Sequence, residues 1–216
     1  SGFVGSHLLT LLDRIAERDT LVAWRRPNTG LQANRSSPPR PAPATDRITW
    51  RNVDLLDGAS VNQAIAELRP SQVYHCAGVA DVGGSWANNY ATLRTNVMGT
   101  DHILSALQDH SISARVLVTG SALVYRPSAT AISETAPLGP VSPYGLSKLA
   151  QEMLALATSG QECVTVVVTR SFTHIGPGQA PSFATASFAE QIARIEAGQS
   201  RPVLRVGNLN ACRDLT

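Results

Sequence analysis

Val164-Thr165-Val166-Val167-Val168-Thr169 is β-branched at every position. Branching at Cβ stiffens χ1 and suits a pleated strand better than a helix. A run of six such residues without polar alternation reads as a strand covered on both faces, the pattern of a parallel sheet. Shorter apolar runs at 20–24, 48–53, 72–77 and 114–119 read the same way. Helical spacing separates them. Leu8, Leu9, Leu11, Leu12 and Ile15 share a face after Gly5, and Ser60 can cap a helix carrying Val61, Ala64, Ile65 and Leu68 that stops at Pro70. Residues 86–108 read as one long helix with Leu93, Val97, Ile103, Leu104 and Leu107 inward, and 143–157 as another with Pro143 in its first turn. Strands alternating with helices predict an α/β fold, a doubly wound parallel sheet covered on both sides. Residues 27–46 hold five prolines and read as a surface loop. Past residue 170 the text turns to Gly/Pro-rich loops with one helix near 184–197, so 1–170 is expected to form the sheet domain and 171–216 part of a smaller C-terminal substrate lobe.

Composition excludes several classes. Eighteen basic against sixteen acidic residues leave a net charge of +2, too even for a nucleic-acid footprint or a polybasic membrane surface. No apolar stretch nears the roughly 18–20 residues of a membrane span. Cys76, Cys163 and Cys212 are odd in number and contain no CxxC, which argues against a disulfide framework or zinc ribbon and for a reducing, cytoplasmic setting. No histidine–acid cluster has metal-ligand spacing, so no metal is expected. The chain opens on Ser1 with no visible signal peptide, a glycine-led helix has no strand before it, and the text stops at Thr216 without a closing element. The expectation is a fragment truncated at both ends.

Chemistry enters through four stretches. Gly2-Phe3-Val4-Gly5 can be the end of a glycine-rich turn whose backbone N–H groups and helix N-terminus receive a pyrophosphate, or simply a tight turn. After the run at 20–24 come Arg25 and Arg26 where an NAD-binding chain would place an acid. Guanidinium groups there suit a 2′-phosphate and favour NADP(H) over NAD(H), the alternative being a solvated basic loop. Asp54 can accept from an adenine amino group with Leu55 beside the ring, and Cys76-Ala77-Gly78 leaves room for a dinucleotide across the sheet edge. Cys76 itself reads as a small buried hydrophobe rather than a nucleophile, with no strand-end His or Lys beside it.

Tyr144-Gly145-Leu146-Ser147-Lys148 is the most specific signal. With four tyrosines and a single lysine, chance would set Tyr-x-x-x-Lys about 2% of the time. Residues four apart share a helix face, and an ammonium beside a phenol lowers a pKa that starts near ~10. Such a tyrosine can exchange protons near neutrality. Ser121, after the run at 114–119, can bond a substrate oxygen.

Together with Val73-Tyr74-His75-Cys76-Ala77-Gly78, Thr95-Asn96-Val97-Met98-Gly99-Thr100, Ser121-Ala122-Leu123-Val124-Tyr125 and Ser142-Pro143-Tyr144, these stretches resemble the extended short-chain dehydrogenase/reductase family of nucleotide-sugar enzymes. His174-Ile175-Gly176-Pro177-Gly178-Gln179, Val206-Gly207-Asn208-Leu209 and Arg213-Asp214 resemble its branch of GDP-4-keto-6-deoxymannose reductases and GDP-mannose dehydratases. The resemblance implies a Rossmann-like NAD(P)-binding domain, a GDP-hexose substrate and a homodimer through helices 86–108 and 143–157. It implies catalytic Ser121, Tyr144 and Lys148, substrate contacts from Ser121, Thr173 and Arg213, and His174 packed by the nicotinamide or acting as an acid. Asn96 is either a support for Lys148 through a water or a backbone-bonding helix residue. Two departures stand out. Thr173 replaces the branch's asparagine, and Leu123 occupies the position of the dehydratases' glutamate. Dehydration needs an acid/base that leucine cannot supply, so reduction, or 4-epimerisation, is the expected chemistry; a dinucleotide sensor without turnover is the non-enzymatic alternative.

Overall fold

In a computed structural model of the chain, residues 2–27, 46–159, 163–212 and 214–215 are described. The chain forms two compact units, one of residues 1–2, 22–27 and 48–171 and another of 3–21, 28–47 and 172–216. The proline-rich loop at 28–45 and Arg213 lie outside the described residues.

The first unit holds β1 (Leu21–Arg25, from Val22 onward), β2 (Ile48–Asn52), β3 (Gln72–His75), β4 (Ala114–Thr119) and β5 (Val164–Thr169). Among the described residues these make two ladders rather than one continuous sheet, β1–β2 and β3–β4–β5. The second is parallel throughout, with Gln72 opposite Arg115 and the six residues of β4 opposite the six of β5. Helices α2 (Gly58–Leu68), α5 (Gly99–Asp109) and α6 (Pro143–Thr158) supply the apolar side chains that meet Val116, Val118, Val164 and Val166 in one core cluster. Ile65, Leu104 and Leu107 are fully buried there, and each contributes roughly 1.5–3 kcal/mol of apolar burial. Along β5, Val164 and Val166 are buried in that cluster, while Thr165 and Val167 are exposed.

Local chemistry sets the helix ends. Ser60 was expected to cap α2; instead Asp57 is the cap, its carboxylate accepting the N–H of Ser60 at 3.2 Å. A carboxylate complements the helix dipole as well as the orphan donor. At the other end Arg69 takes a left-handed conformation, φ 42°, ahead of Pro70. The single helix expected over 86–108 is in fact α3 (Gly84–Ala87), α4 (Asn89–Leu93), a π-turn (Arg94–Met98) and α5. Asn88, at φ −129°, breaks the first join. The wider π-turn carries one extra residue per turn, and both Asn96 and Thr100 come out buried.

In the second unit, α1 (Phe3–Ile15) begins directly after Gly2 and holds Gly5 in its first turn. His7 Nε2 lies 2.9 Å from the carbonyl of Pro177, and the Phe3 and His7 rings form a T-shaped pair with centroids 5.1 Å apart. Arg47 donates to the carbonyls of Asp13 and Ala16 at the C-terminal end of α1, where a cation is favoured. Helix α7 (Ala184–Glu196) keeps Gln191 in a two-way bond with the backbone of Arg205, at 2.7 and 3.1 Å.

Candidate active site

The first turn of α6 decides where Tyr144 stands. The first N–H groups of a helix lack intrahelical partners. Here Pro143 has no N–H, that of Tyr144 donates to Ser85 Oγ at 3.2 Å and that of Gly145 to Ser142 Oγ at 3.0 Å, while the N–H of Leu146 makes the first intrahelical bond, to the Ser142 carbonyl at 2.9 Å. Ser85 donates in turn to the Val82 carbonyl at 2.6 Å. A side chain on Gly145 would stand 2.5 Å from the Leu123 carbonyl, so the turn Ala122–Val124 lies against this helix start. Ser121 caps that turn, its hydroxyl accepting from the N–H of Leu123 at 3.2 Å. The same hydroxyl acts on the Tyr144 phenol, lowering its pKa. Ser121, Tyr144 and Lys148, all expected as catalytic, are all buried in one unit.

Electrostatics here differ from the sequence expectation in one respect. Burial pushes the Tyr144 phenol above its ordinary value, and the Ser121 hydroxyl acts against that rise. The expected lowering of that pKa is thereby corrected. The Lys148 ammonium instead donates to the Thr119 carbonyl and to Gln151 Oε1, each at 2.9 Å, and burial lowers its pKa to about 8. His75 is buried without a counter-ion; desolvation, with the Lys148 charge adding to it, lowers its pKa to about 4. Cys76, read from sequence as having no lysine beside it, does feel the Lys148 charge, yet burial dominates and raises the thiol's pKa. It is an unreactive thiol rather than a thiolate.

Asn96 is bound on several sides. Its carboxamide takes the N–H of Val79 at 2.8 Å, returns a bond to the Val79 carbonyl at 3.2 Å and donates to Ser147 Oγ at 2.9 Å. A Cβ on Gly78 would stand 2.7 Å from Asn96 Oδ1 and 3.7 Å from Lys148 Nζ. Cys76-Ala77-Gly78 therefore runs against the lysine with no side chain intervening at Gly78. In the same unit Arg25 Nε donates to Asn52 Oδ1 at 2.9 Å, and Arg26 Nε stands 3.6 Å from Asp54 Oδ2. Asp54 Oδ1 accepts the N–H of Leu56 at 3.0 Å, and the Leu55 carbonyl faces His102 Nδ1 at 2.7 Å.

Gly2 falls in this same unit, whereas Phe3, Val4, Gly5, Thr173 and His174 belong to the other. Gly5 lies in the first turn of α1 with Phe3 and Val4, His174 is exposed with its carbonyl bonded by Gln179 Nε2 at 2.9 Å, and Thr173 pairs with Leu215, its N–H donating to the Asp214 carbonyl at 3.4 Å. Sequence reasoning passed over His75, Thr100 and Gln151. Their signal was available: polar residues at inward positions of otherwise apolar elements, Gln151 lying three residues beyond Lys148. It also passed over Arg170, which grips Glu152 with Nε and Nη2 at 2.6–3.2 Å and reaches Tyr125 Oη at 2.9 Å.

The family model described as the NAD dependent epimerase/dehydratase family matches residues 1–216. The chain is 40% identical over 164 residues to the GDP-6-deoxy-D-mannose reductase of Pseudomonas aeruginosa, a match covering 74% of this chain and 54% of that protein. Among solved structures it resembles RMD from Pseudomonas aeruginosa complexed with NADPH, at 33% identity and a TM-score of 0.77, covering 99% of this chain and 64% of that one. It also resembles MoeE5 in complex with UDP-glucose and NAD, at 32% identity and a TM-score of 0.77, covering 100% of this chain and 64% of that one. The chain thus spans between half and two thirds of the length of these relatives.

Proposed function

The chain belongs to the NAD dependent epimerase/dehydratase family, and from that premise we propose that it reduces a nucleotide-bound 4-keto-6-deoxyhexose of the GDP-4-keto-6-deoxymannose type with NADPH. The observation that carries this reading is a buried phenol, one helical turn before a buried lysine and in one unit with the buried Ser121 hydroxyl, with Leu123 rather than an acid in the turn against that helix start.

The residues present fit a nicotinamide dinucleotide. The strand end at Cys76-Ala77-Gly78 is small, and Lys148 has a third ammonium proton beyond those given to Thr119 and Gln151. Gly2, Phe3, Val4 and Gly5 would receive the pyrophosphate and Arg25 and Arg26 a 2′-phosphate. Asp54 and Leu55 would flank the adenine, with Lys148 and His174 at the nicotinamide end. Asn96 serves there by holding Val79 and Ser147. When bound, the dinucleotide supplies hydride to C4 of the sugar. Ser121 orients the C4 carbonyl, and Tyr144 gives its proton to the oxygen as negative charge develops on it. Burial raises the phenol's pKa, so Tyr144 is protonated at neutral pH, as a proton donor must be. Thr173 and Arg213 are the proposed sugar-nucleotide contacts.

The likeness to a GDP-6-deoxy-D-mannose reductase supports the sugar, and the likeness to a structure complexed with NADPH supports the cofactor. Exposed Tyr90, Met98, Leu146 and Met153 on the helices of 89–109 and on α6 support a homodimer through those helices. Among the described residues no helix is long and apolar enough to cross a membrane, in keeping with the proposed cytoplasmic setting. The test is Tyr144→Phe in the full-length protein, with NADPH consumption measured against the keto-sugar. Turnover should fall by about 10²–10⁴-fold, with NADPH affinity retained. A variant within threefold of wild type, about 0.65 kcal/mol of barrier, overturns the proposal.

A further inference from the structure

Behind the lysine lies a closed ring of hydrogen bonds that the proposed reaction does not use. Lys148 Nζ donates to Gln151 Oε1 at 2.9 Å, and Gln151 Nε2 donates to Thr100 Oγ1 at 2.6 Å. Thr100 donates its single hydroxyl proton to the Asn96 carbonyl at 2.7 Å, so its oxygen accepts twice, from Gln151 and from His75 Nε2 at 2.9 Å. That accounting fixes His75 as the Nε2–H tautomer. The His75 carbonyl then accepts Thr119 Oγ1 at 3.1 Å, and the Thr119 carbonyl accepts Lys148 at 2.9 Å. Gln151 is fully buried, and its carboxamide has one workable orientation, since the flipped form would set an NH₂ against the ammonium.

We infer that Gln151 is a positioning residue for Lys148, its carboxamide anchoring the ammonium to the Thr100–His75 pair and so holding it charged at the site. The inference rests on the proposed role of the Tyr144–Lys148 pair. An ammonium keeps its charge away from water only where hydrogen bonds replace its hydration. Both acceptors here are neutral oxygens, so the charge is solvated without being cancelled and remains available to an anionic phenolate. A glutamate at 151 would neutralise it, and an apolar residue would leave it a single acceptor. The other groups facing Lys148 are consistent with this division. From the end of β3 come His75, neutral through burial, and Cys76, whose thiol is likewise kept protonated. From α5 comes the hydroxyl of Thr100, and from β4 the carbonyl of Thr119. On its own helix Tyr144 lies one turn earlier, and Glu152 is committed to Arg170 at 2.6 Å.

Lys148 is the one lysine of this sequence, and substitution identifies its signal. In the full-length protein without cofactor, ¹⁵Nζ and ¹³Cε lysine resonances are titrated, and the Lys148 signal is assigned by its loss in Lys148→Arg. Gln151→Met should move its midpoint down by about one pH unit, and Gln151→Glu should move it up by about one unit. A purely structural role would lower the melting temperature of both variants without moving the midpoint in opposite directions. Midpoints in both variants within about 0.3 unit of wild type overturn the inference; should Gln151→Met fail to fold, an unmoved Gln151→Glu midpoint does so alone. The readout involves no substrate, so the failures separate. Unmoved midpoints beside an inactive Tyr144→Phe remove this inference only, whereas an active Tyr144→Phe removes the reductase reading and the inference with it.

Discussion

Ser85 Oγ receives the backbone N–H of Tyr144 at 3.2 Å, across 59 residues of sequence. A four-residue helix with Ser85 fully buried thus seats the start of the helix on which the phenol rides. Ser85→Ala leaves a buried N–H without its acceptor, a loss of about 1–3 kcal/mol. Urea denaturation of wild type and variant measures it. A difference under about 0.5 kcal/mol would mean that this bond does not hold the helix start.

The proposed preference for NADPH rests on Arg25 and Arg26. Each is contacted through Nε, from Asn52 and toward Asp54, and the Arg26 side chain is 72% exposed. Both guanidinium groups stand at the strand end where a 2′-phosphate would lie. NADPH should bind the full-length protein more tightly than NADH. Replacing both arginines by glutamine should weaken NADPH by about 1–3 kcal/mol and leave NADH within twofold. Equal wild-type dissociation constants for the two dinucleotides, by fluorescence titration, contradict the assignment.

How much of this was legible in the text depends on range. β4 and β5 fall on the residues that the apolar runs picked out, because a β-branched run states its conformation locally. The proposed Tyr144–Lys148 pair was legible for the same reason, the two being one helical turn apart. Residues 86–108 were misread because Leu93, Val97 and Ile103 keep a helical period that one extra residue in a π-turn barely disturbs, and periodicity cannot register the break at Asn88. The partners of Lys148 were illegible for another reason. Gln151, Thr100 and His75 come from three elements, and only the packing of α5 and α6 against β3 reveals that their donors and acceptors match. The direction of the Tyr144 shift was missed likewise, since burial outweighs the Ser121 hydroxyl there and burial is a property of the fold.

His75 makes acid stability a test of that burial. Its folded pKa of about 4 lies below the ordinary value of 6.5. Between these values the unfolded chain binds a proton that the folded chain refuses, so stability falls as pH drops through this window. From pH 6.5 to 4.5 the loss assignable to His75 is about 2 kcal/mol. His75→Gln, compared by urea denaturation at the two pH values, should lose less stability than wild type by about that amount. Parallel losses would show that the imidazole is not held neutral.

Reaction class turns on Leu123. Its turn lies against the start of α6, its carbonyl within 2.5 Å of where a Gly145 side chain would begin, so position 123 neighbours Tyr144. Dehydration of a GDP-hexose takes a proton from C5 and gives one to the C6 hydroxyl, work for a carboxyl group that a leucine cannot do. Reduction asks for hydride at C4 and one proton from a phenol that is protonated at the start. Because burial raises the Tyr144 pKa, the reductive rate should stay level through neutral pH and decline only as pH rises through that elevated value. Oxidation of the product, which needs the phenolate, should rise over the same interval. GDP-mannose with NADP⁺ should therefore give no 4-keto-6-deoxy sugar, and the keto-sugar with NADPH should consume the cofactor. Keto-sugar from the first mixture overturns the reading of Leu123. Constant NADPH in the second would leave 4-epimerisation or binding without turnover, and a reductive rate that climbs with pH would remove Tyr144 as the proton donor.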